Sequence, residues 1–244
     1  MRYAIIGDIH ANLAAFTAVL DDIDQRGGVE RIWCLGDVVG YGPDPHECIE
    51  TLSQIDHICV AGNHDLAVIG KIDTSDFNPD AAAACHWTAR QLNSDDIAYL
   101  EKLPLIIEEG DFTLVHGSPR DPIWEYLLST SMAKENFAFF KTQVCLVGHS
   151  HVPLVFSHSE GGNFSNKRFL TDEELVLNRE RLIVNPGGIG QPRDGDPRTS
   201  YAIYDSRNKL INLYRIPYDI RITQDRMIEN ELPMSLVARL SYGT

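Results

Sequence analysis

The chain has no apolar run of the ~20 residues that a membrane-spanning helix needs, and its opening stretch, MRYAIIGDIH, breaks at Gly7-Asp8 before reaching signal-peptide length. The expected location is the cytoplasm, with no membrane partner. Cysteines are few and odd in number: Cys34, Cys48, Cys59, Cys85 and Cys145 include no C-x-x-C pair. That argues against a zinc knuckle and a disulfide framework, and reads as buried thiols in a reducing compartment. Cations are also scarce, 21 Lys and Arg against 35 Asp and Glu, for a formal charge of -14. Such a balance repels phosphate backbones and speaks against nonspecific nucleic-acid binding; an anionic substrate needs a local source of positive charge.

Several catalytic motifs are missing too. There is no G-x-x-x-x-G-K phosphate loop, no G-x-S-x-G elbow and no Cys followed six positions later by Arg. Gly187-Gly188-Ile189-Gly190 opens no helix, which sets aside a dinucleotide fingerprint.

What is present is an ordinary globular composition, 43% apolar and 23% charged over 244 residues, and no linker or repeat divides it, so one domain over residues 1–244 is expected. Periodicity predicts a strand over Arg2 to Gly7, a helix over Asn12 to Gln25, a strand over Arg31 to Leu35, a helix over Pro45 to Gln54 and a strand over His57 to Ala61, hence a largely parallel sheet covered by helices. Asn78-Pro79 caps and starts one further helix through about Leu92, and Ser94 caps another through Lys102. Later segments read as strands and hairpins, with one helix near Ser131 to Phe140 and two at the end. Gly161 to Lys167 reads as a flexible surface loop, and Asn185 to Arg198 as a long Gly/Pro/Asp-rich loop of the kind that often carries function.

Ligand-type residues recur where strands end, and open α/β sheets hold their sites at the carboxyl ends of strands. The first predicted strand ends in Asp8-x-His10, the second in Gly36-Asp37, the third in Gly62-Asn63-His64-Asp65, a later one in His116, and another in Gly148-His149-x-His151. Residues i and i+2 of an extended segment share a face, which would aim His149 and His151 together. Each residue has a dull alternative as a turn former or a hydrogen-bonded histidine; seven of them at the edge where a parallel sheet gathers its strand ends do not. Two carboxylates, an amide oxygen and several imidazoles suit borderline divalent ions, whereas calcium prefers oxygen alone.

This ordered set, Asp8-x-His10, Gly36-Asp37, Gly62-Asn63-His64-Asp65, His116 and Gly148-His149-x-His151, resembles the calcineurin-like metallophosphoesterase superfamily, and Asn185-Pro186-Gly187-Gly188 resembles the loop that follows those motifs in its small bacterial and archaeal phosphodiesterase branch. The resemblance implies a four-layer α/β/β/α sandwich with two mixed sheets. It implies two divalent ions, manganese first with iron, zinc, cobalt or nickel as alternatives. Asp8, His10, Asp37 and His151 would hold one, and Asn63, His116, His149 and the shared Asp37 the other. A hydroxide bridging the two ions would attack phosphorus, at a site left with about one net positive charge. His64 would serve as general acid on the leaving alkoxide with Asp65 orienting its ring, and Asn63 and His64 would also touch substrate.

Tyr41 follows Asp37 closely enough to wall the pocket and stack on a base. Arg193 and Arg198 in the long loop have the guanidinium fork that suits phosphate, and Arg120 is a weaker candidate. The expected activity is hydrolysis of a small phosphate ester or nucleotide, phosphodiesters included; dinucleoside polyphosphates are one class the resemblance suggests. A serine/threonine protein phosphatase fits less well, because a chain this short lacks long insertions to recognise a protein. A silent metal-binding scaffold on the same fold should have replaced ligands, and none is replaced. The sequence is compatible with a homo-oligomer.

Overall fold

A computed structural model describes residues 1–171 and 173–244. Twelve strands and eight α-helices lie among them, in two six-stranded sheets. The first sheet begins as expected, with β1 (Arg2–Ile6), α1 (Leu13–Gln25), β2 (Arg31–Cys34), α2 (Pro45–Ser53) and β3 (His57–Cys59); β2 pairs parallel with β1 and with β3. The short α3 (Asn63–Val68) follows, then α4 (Pro79–Gln91) and α5 (Ser94–Glu101). Asn78 caps α4 with its side-chain acceptor, and Asn93, not the expected Ser94, caps α5 by accepting from Asp95 N and Asp96 N; Pro79 occupies the first turn of α4, where its missing N–H costs nothing.

The second sheet is built from β4 (Ile106–Glu109), β5 (Phe112–Val115), β6 (Val144–Leu146), β7 (Leu154–His158), β8 (Phe164–Arg168) and β10 (Arg181–Asn185), in the order β4-β5-β6-β10-β7-β8, with α6 (Thr130–Asn136) on its outer face. Its centre, β5, β6 and β10, is parallel. Between β8 and β10 the chain crosses to the first sheet as β9 (Glu174–Val176), and after β10 it returns there as β11 (Thr199–Asp205) and β12 (Leu210–Ile216), completing the order β3-β2-β1-β11-β12-β9; α7 (Ile220–Glu229) and α8 (Met234–Arg239) follow.

Period-two alternation accounts for the layers. In β1, Ala4 and Ile6 point at Phe16 and Val19 of α1, while Ile5 points inward with Trp33 and Ala202 against Leu114, Leu146 and Val184 of the second sheet. Cys145 and Ile183 face outward onto Ala133 and Phe137 of the α6 segment. The result is the α/β/β/α order that the resemblance implies. No helix among the described residues is long and apolar enough to cross a membrane.

One expectation fails here. The stretch Gly161 to Lys167 is not a free loop: Phe164–Arg168 forms the edge strand β8, paired antiparallel with β7 from Leu154↔Arg168 to His158↔Phe164. Its side chains are almost all exposed, so backbone pairing holds it and no hydrophobic alternation announces it, as is common for edge strands.

Candidate metal centre

Loops at the carboxyl ends of β1, β2, β5 and β6 meet between the sheets. The first two loops continue each other's pairing past the strands, Asp8 N to Gly36 O at 3.0 Å, His10 N to Asp37 O at 2.9 Å and Ala11 N to Val38 O at 2.9 Å. The backbone there is not extended. Asp8, His10, Ala11, Asp37, Tyr41, His149 and His151 all have φ between 50° and 64°, and only Lys209 and Glu231 share that property among other described non-glycine residues. Each such residue costs on the order of 1–2 kcal/mol, and surrounding structure must enforce it.

The i, i+2 argument for His149 and His151 is therefore corrected. β6 stops at Leu146, and left-handed turns, not a shared strand face, aim the two rings. They also aim apart: His149 Nδ1 lies 3.1 Å from His116 Nε2, and His151 Nε2 lies 3.1 Å from His10 Nε2.

Three overlapping side-chain groups result. Asp8, His10 and His151 bring ligand atoms within 4.8 Å of one another, as do Asp37, His116 and His149, and His10, Asp37 and His64. Asp37 joins them: its Oδ2 is 3.6 Å from His10 Nε2 and 3.3 Å from His116 Nε2. Asn63 Oδ1 reaches His116 Nε2 at 3.0 Å. All seven predicted ligands are thus adjacent, and each is at most 4% exposed.

The outer nitrogens show which way the imidazoles are set. His10 Nδ1 meets Val39 O at 3.2 Å, His116 Nδ1 meets Leu35 O at 2.8 Å, His151 Nδ1 meets Gln191 O at 2.5 Å and His149 Nε2 meets Trp124 O at 3.2 Å. A carbonyl only accepts, so each outer nitrogen is the donor, and in the neutral ring the inner nitrogen turns a lone pair inward. The His10 and His151 lone pairs, facing each other at 3.1 Å, repel unless a cation lies between them. Asp8 Oδ2, buried and without a hydrogen-bond partner, adds another unmatched acceptor. The residues present fit divalent metal.

The electrostatics agree. Burial pushes the Asp8 carboxyl up to about 7. Burial would raise Asp37 as well, but His116 and the other imidazoles around it hold it well below the ordinary carboxylate value. Burial keeps His10, His149 and His151 well below the usual imidazole value. At His116 burial is outweighed by the Asp37 carboxylate, and the ring is raised to about 9. Burial lowers His64 to about 4, so that ring is neutral near pH 7.

Asp65 does not orient His64. Its carboxylate accepts backbone N–H bonds from Asp37 (2.8 Å), Val38 (2.9 Å), Val39 (3.2 Å) and Gly62 (3.0 Å), which staples the loop carrying Asp37 to the start of α3. The α3 helix puts the Asp65 side chain over its own N-terminus, away from the neighbouring imidazole. Gly62 is required by close approach: a Cβ there would stand 2.0 Å from Asp37 Oδ1.

Beside the cluster lies a cleft of about 170 Å³ lined by Asp37, Asn63, His64, His149 and His151 together with Tyr41, Phe77, Trp124, Tyr126 and Arg193. Tyr41 packs its ring 4.3 Å from that of His64, and Arg193 Nη2 reaches Tyr41 Oη at 3.4 Å and Gln191 Oε1 at 3.0 Å. Tyr126 stacks on His149 at 3.9 Å.

The other two arginines stand elsewhere. Arg198 pairs with Asp196 and lines a separate cavity of about 250 Å³, and Arg120 pairs with Glu125 and Glu135. A nearby carboxylate claims each guanidinium, which motif spacing does not reveal. Sequence reasoning missed Phe77, Trp124 and Tyr126. The Trp124-x-Tyr126 pair in the loop after His116 was a usable signal; Phe77 offered none.

Residues 1–209 match the calcineurin-like phosphoesterase superfamily domain. A metallophosphoesterase from Sphaerobacter thermophilus, known from its crystal structure, is 47% identical with a TM-score of 0.91, over 100% of this chain and 99% of its own. An uncharacterized protein of Methanocaldococcus jannaschii is 39% identical over 98% of this chain and 97% of its own length. A symmetrical bis(5'-nucleosyl)-tetraphosphatase of Neisseria gonorrhoeae is 28% identical over 76% of this chain; the match spans 64% of that enzyme's length.

Proposed function

Because the chain belongs to the calcineurin-like phosphoesterase superfamily, and so is a hydrolase acting on phosphoric ester bonds, we propose that it cleaves small phosphate esters, nucleotides foremost, at a dinuclear centre bridged by Asp37. Asp8, His10, Asp37 and His151 would hold one divalent ion; Asn63, His116, His149 and the shared Asp37 would hold the second, with manganese the first choice for this donor set. Such a pair supplies Lewis-acid charge to phosphoryl oxygens and makes water acidic enough to attack phosphorus near neutral pH.

The single observation that carries this reading is the set of four imidazoles, each tied outward to a backbone carbonyl and pointing its other nitrogen at a neighbouring ligand, in two pairs that Asp37 Oδ2 joins. That arrangement is costly without cations and preorganised with them. It concentrates positive charge where an anion must bind, in a chain whose formal charge is -14.

Around that centre the chain's own groups divide the work. Arg193 offers a guanidinium fork to phosphoryl oxygens at the cleft mouth. His64, neutral because it is buried, acts as an N–H donor that stabilises charge on the leaving oxygen; full proton transfer would require bound phosphate to raise it first. Tyr41, Phe77, Trp124 and Tyr126 give apolar walls suited to a nucleobase. The tetraphosphatase relative supports the nucleotide assignment. The five cysteines are all buried free thiols, which suits a reducing cytoplasm.

The test is a kinetic panel of p-nitrophenyl and bis-p-nitrophenyl phosphate, cyclic nucleotides, dinucleoside polyphosphates and monoesters, on protein stripped of metal and reloaded with manganese, iron, zinc, cobalt or nickel. Turnover that returns with metal and favours nucleotides supports the proposal. No turnover with any metal refutes it.

A further inference from the structure

The role given to His64 depends on which ring nitrogen carries hydrogen, and a residue outside the seven-ligand cluster bears on that. Cys85, on α4 and 1% exposed, places its Sγ 3.3 Å from His64 Nδ1. Among the described residues no other side chain hydrogen-bonds this ring, because the Asp65 carboxylate is engaged by backbone N–H groups. Packing fixes the ring plane: Phe77 meets it edge-on at 4.9 Å and His10 at 4.8 Å. Gly40, at φ 86°, lies so close that a Cβ there would stand 2.4 Å from Nδ1. Nδ1 is therefore enclosed by Gly40 and Cys85, while the ring lines the substrate cleft.

We propose that Cys85 is a positioning residue that selects the tautomer of His64: its thiol donates S–H to Nδ1 and so leaves the ring hydrogen on Nε2, which serves the leaving oxygen. A thiol can donate or accept weakly. Burial pushes Cys85 up to about 12, which keeps it a thiol rather than a thiolate at neutral pH. With the hydrogen on Nδ1 instead, Nε2 would turn a lone pair toward the leaving oxygen and repel the charge that develops there. The kinetic consequence rests on the hydrolase reading above; the tautomer itself does not.

Two measurements on the full chain separate these. In protein labelled with ¹⁵N-histidine and loaded with diamagnetic zinc, with His64 assigned by comparison with His64→Gln, the ring should show Nε2 protonated and Nδ1 bare. Cys85→Ala should give a mixture of tautomers, and Cys85→Ser should restore the parent pattern. In the manganese enzyme, Cys85→Ala should lower kcat roughly tenfold on alkyl esters and much less on p-nitrophenyl esters, with KM and metal content held, as for other partners that orient a functional histidine. Cys85→Ser should recover most of that loss, and Cys85→Ala should add little to His64→Gln.

Hydrogen on Nδ1 in the parent, or an unchanged tautomer in Cys85→Ala, overturns the proposal even if the protein proves inactive. So does a loss equal across leaving groups that serine does not rescue, since that marks a packing role. An inactive parent with the expected tautomer pattern would refute the hydrolase reading and leave the Cys85 assignment standing.

Discussion

Replacing Asp65 by asparagine separates the position it holds from the one its sequence suggests. Oδ2 accepts from Asp37 N and Gly62 N, and Oδ1 from Val38 N and Val39 N, all at 2.8–3.2 Å, at a residue with 0% exposure. An amide keeps one acceptor oxygen and turns an NH2 group toward the other two N–H donors, so two buried donors lose their partner whichever way it flips. At about 1–3 kcal/mol for each buried donor left unsatisfied, Asp65→Asn should cost the metal-free protein about 4 kcal/mol. For a chain of this size that is a fall of about 8–16 °C in melting temperature. Metal affinity should fall with it, because the released loop carries Asp37. Thermal denaturation in chelator, followed by metal titration of the refolded protein, reads both. If Asp65 instead served to orient His64, the variant would melt within about 2 °C of the parent, bind metal normally and lose only turnover; that result would refute the reasoning.

Metal binding should release protons. In the metal-free fold His116 is raised to about 9 and Asp8 to about 7, so both hold protons near pH 7 that ligation must displace, about one or more per loaded centre. Both raised values also mean that the metal-free fold binds these protons more tightly than the unfolded chain does. That stability is complete below the unfolded values and is lost as pH climbs through about 7 at Asp8 and about 9 at His116. Apparent metal affinity should therefore strengthen as pH rises; calorimetry in buffers of different ionisation enthalpy checks the release, and a buffer-independent heat would contradict it. His64→Gln should retain full metal content yet lose most activity on esters with poor leaving groups, and equal loss across leaving groups would count against a role at the leaving oxygen. Arg193→Ala should raise KM on the order of tenfold for nucleotides, while Arg198→Ala and Arg120→Ala, whose guanidiniums are held by Asp196 and by Glu125 and Glu135, should leave kinetics within error.

The parallel β1-β2-β3 unit and the gathering of Asp8, Asp37, Asn63 and His116 at one edge were legible in the sequence, because buried strands and short polar terminators are local patterns. So was the presence of His149 and His151 in the cluster, though for the wrong geometric reason. Strand period predicts a shared face, whereas left-handed turns at φ 64° and 56° send one ring to each group. Such turns leave little trace in side-chain type when the residue is not glycine. The edge strand Phe164–Arg168 was illegible because pairing with β7, not burial, maintains it. Cys85 reaches His64 only because α4 packs beside α3, and no spacing rule joins positions 64 and 85. Arg198 is held by Asp196 two residues before it, whereas Arg193 reaches Tyr41 across the fold, and only that second contact is a tertiary fact.

The central claim is a pair of cations sharing Asp37. Its most direct test is a crystal of the manganese-loaded protein measured for anomalous scattering. Two peaks on either side of the Asp37 carboxylate, one contacted by Asp8, His10 and His151 and the other by Asn63, His116 and His149, are the predicted result. A single peak, or ions bound away from Asp37, would contradict the account.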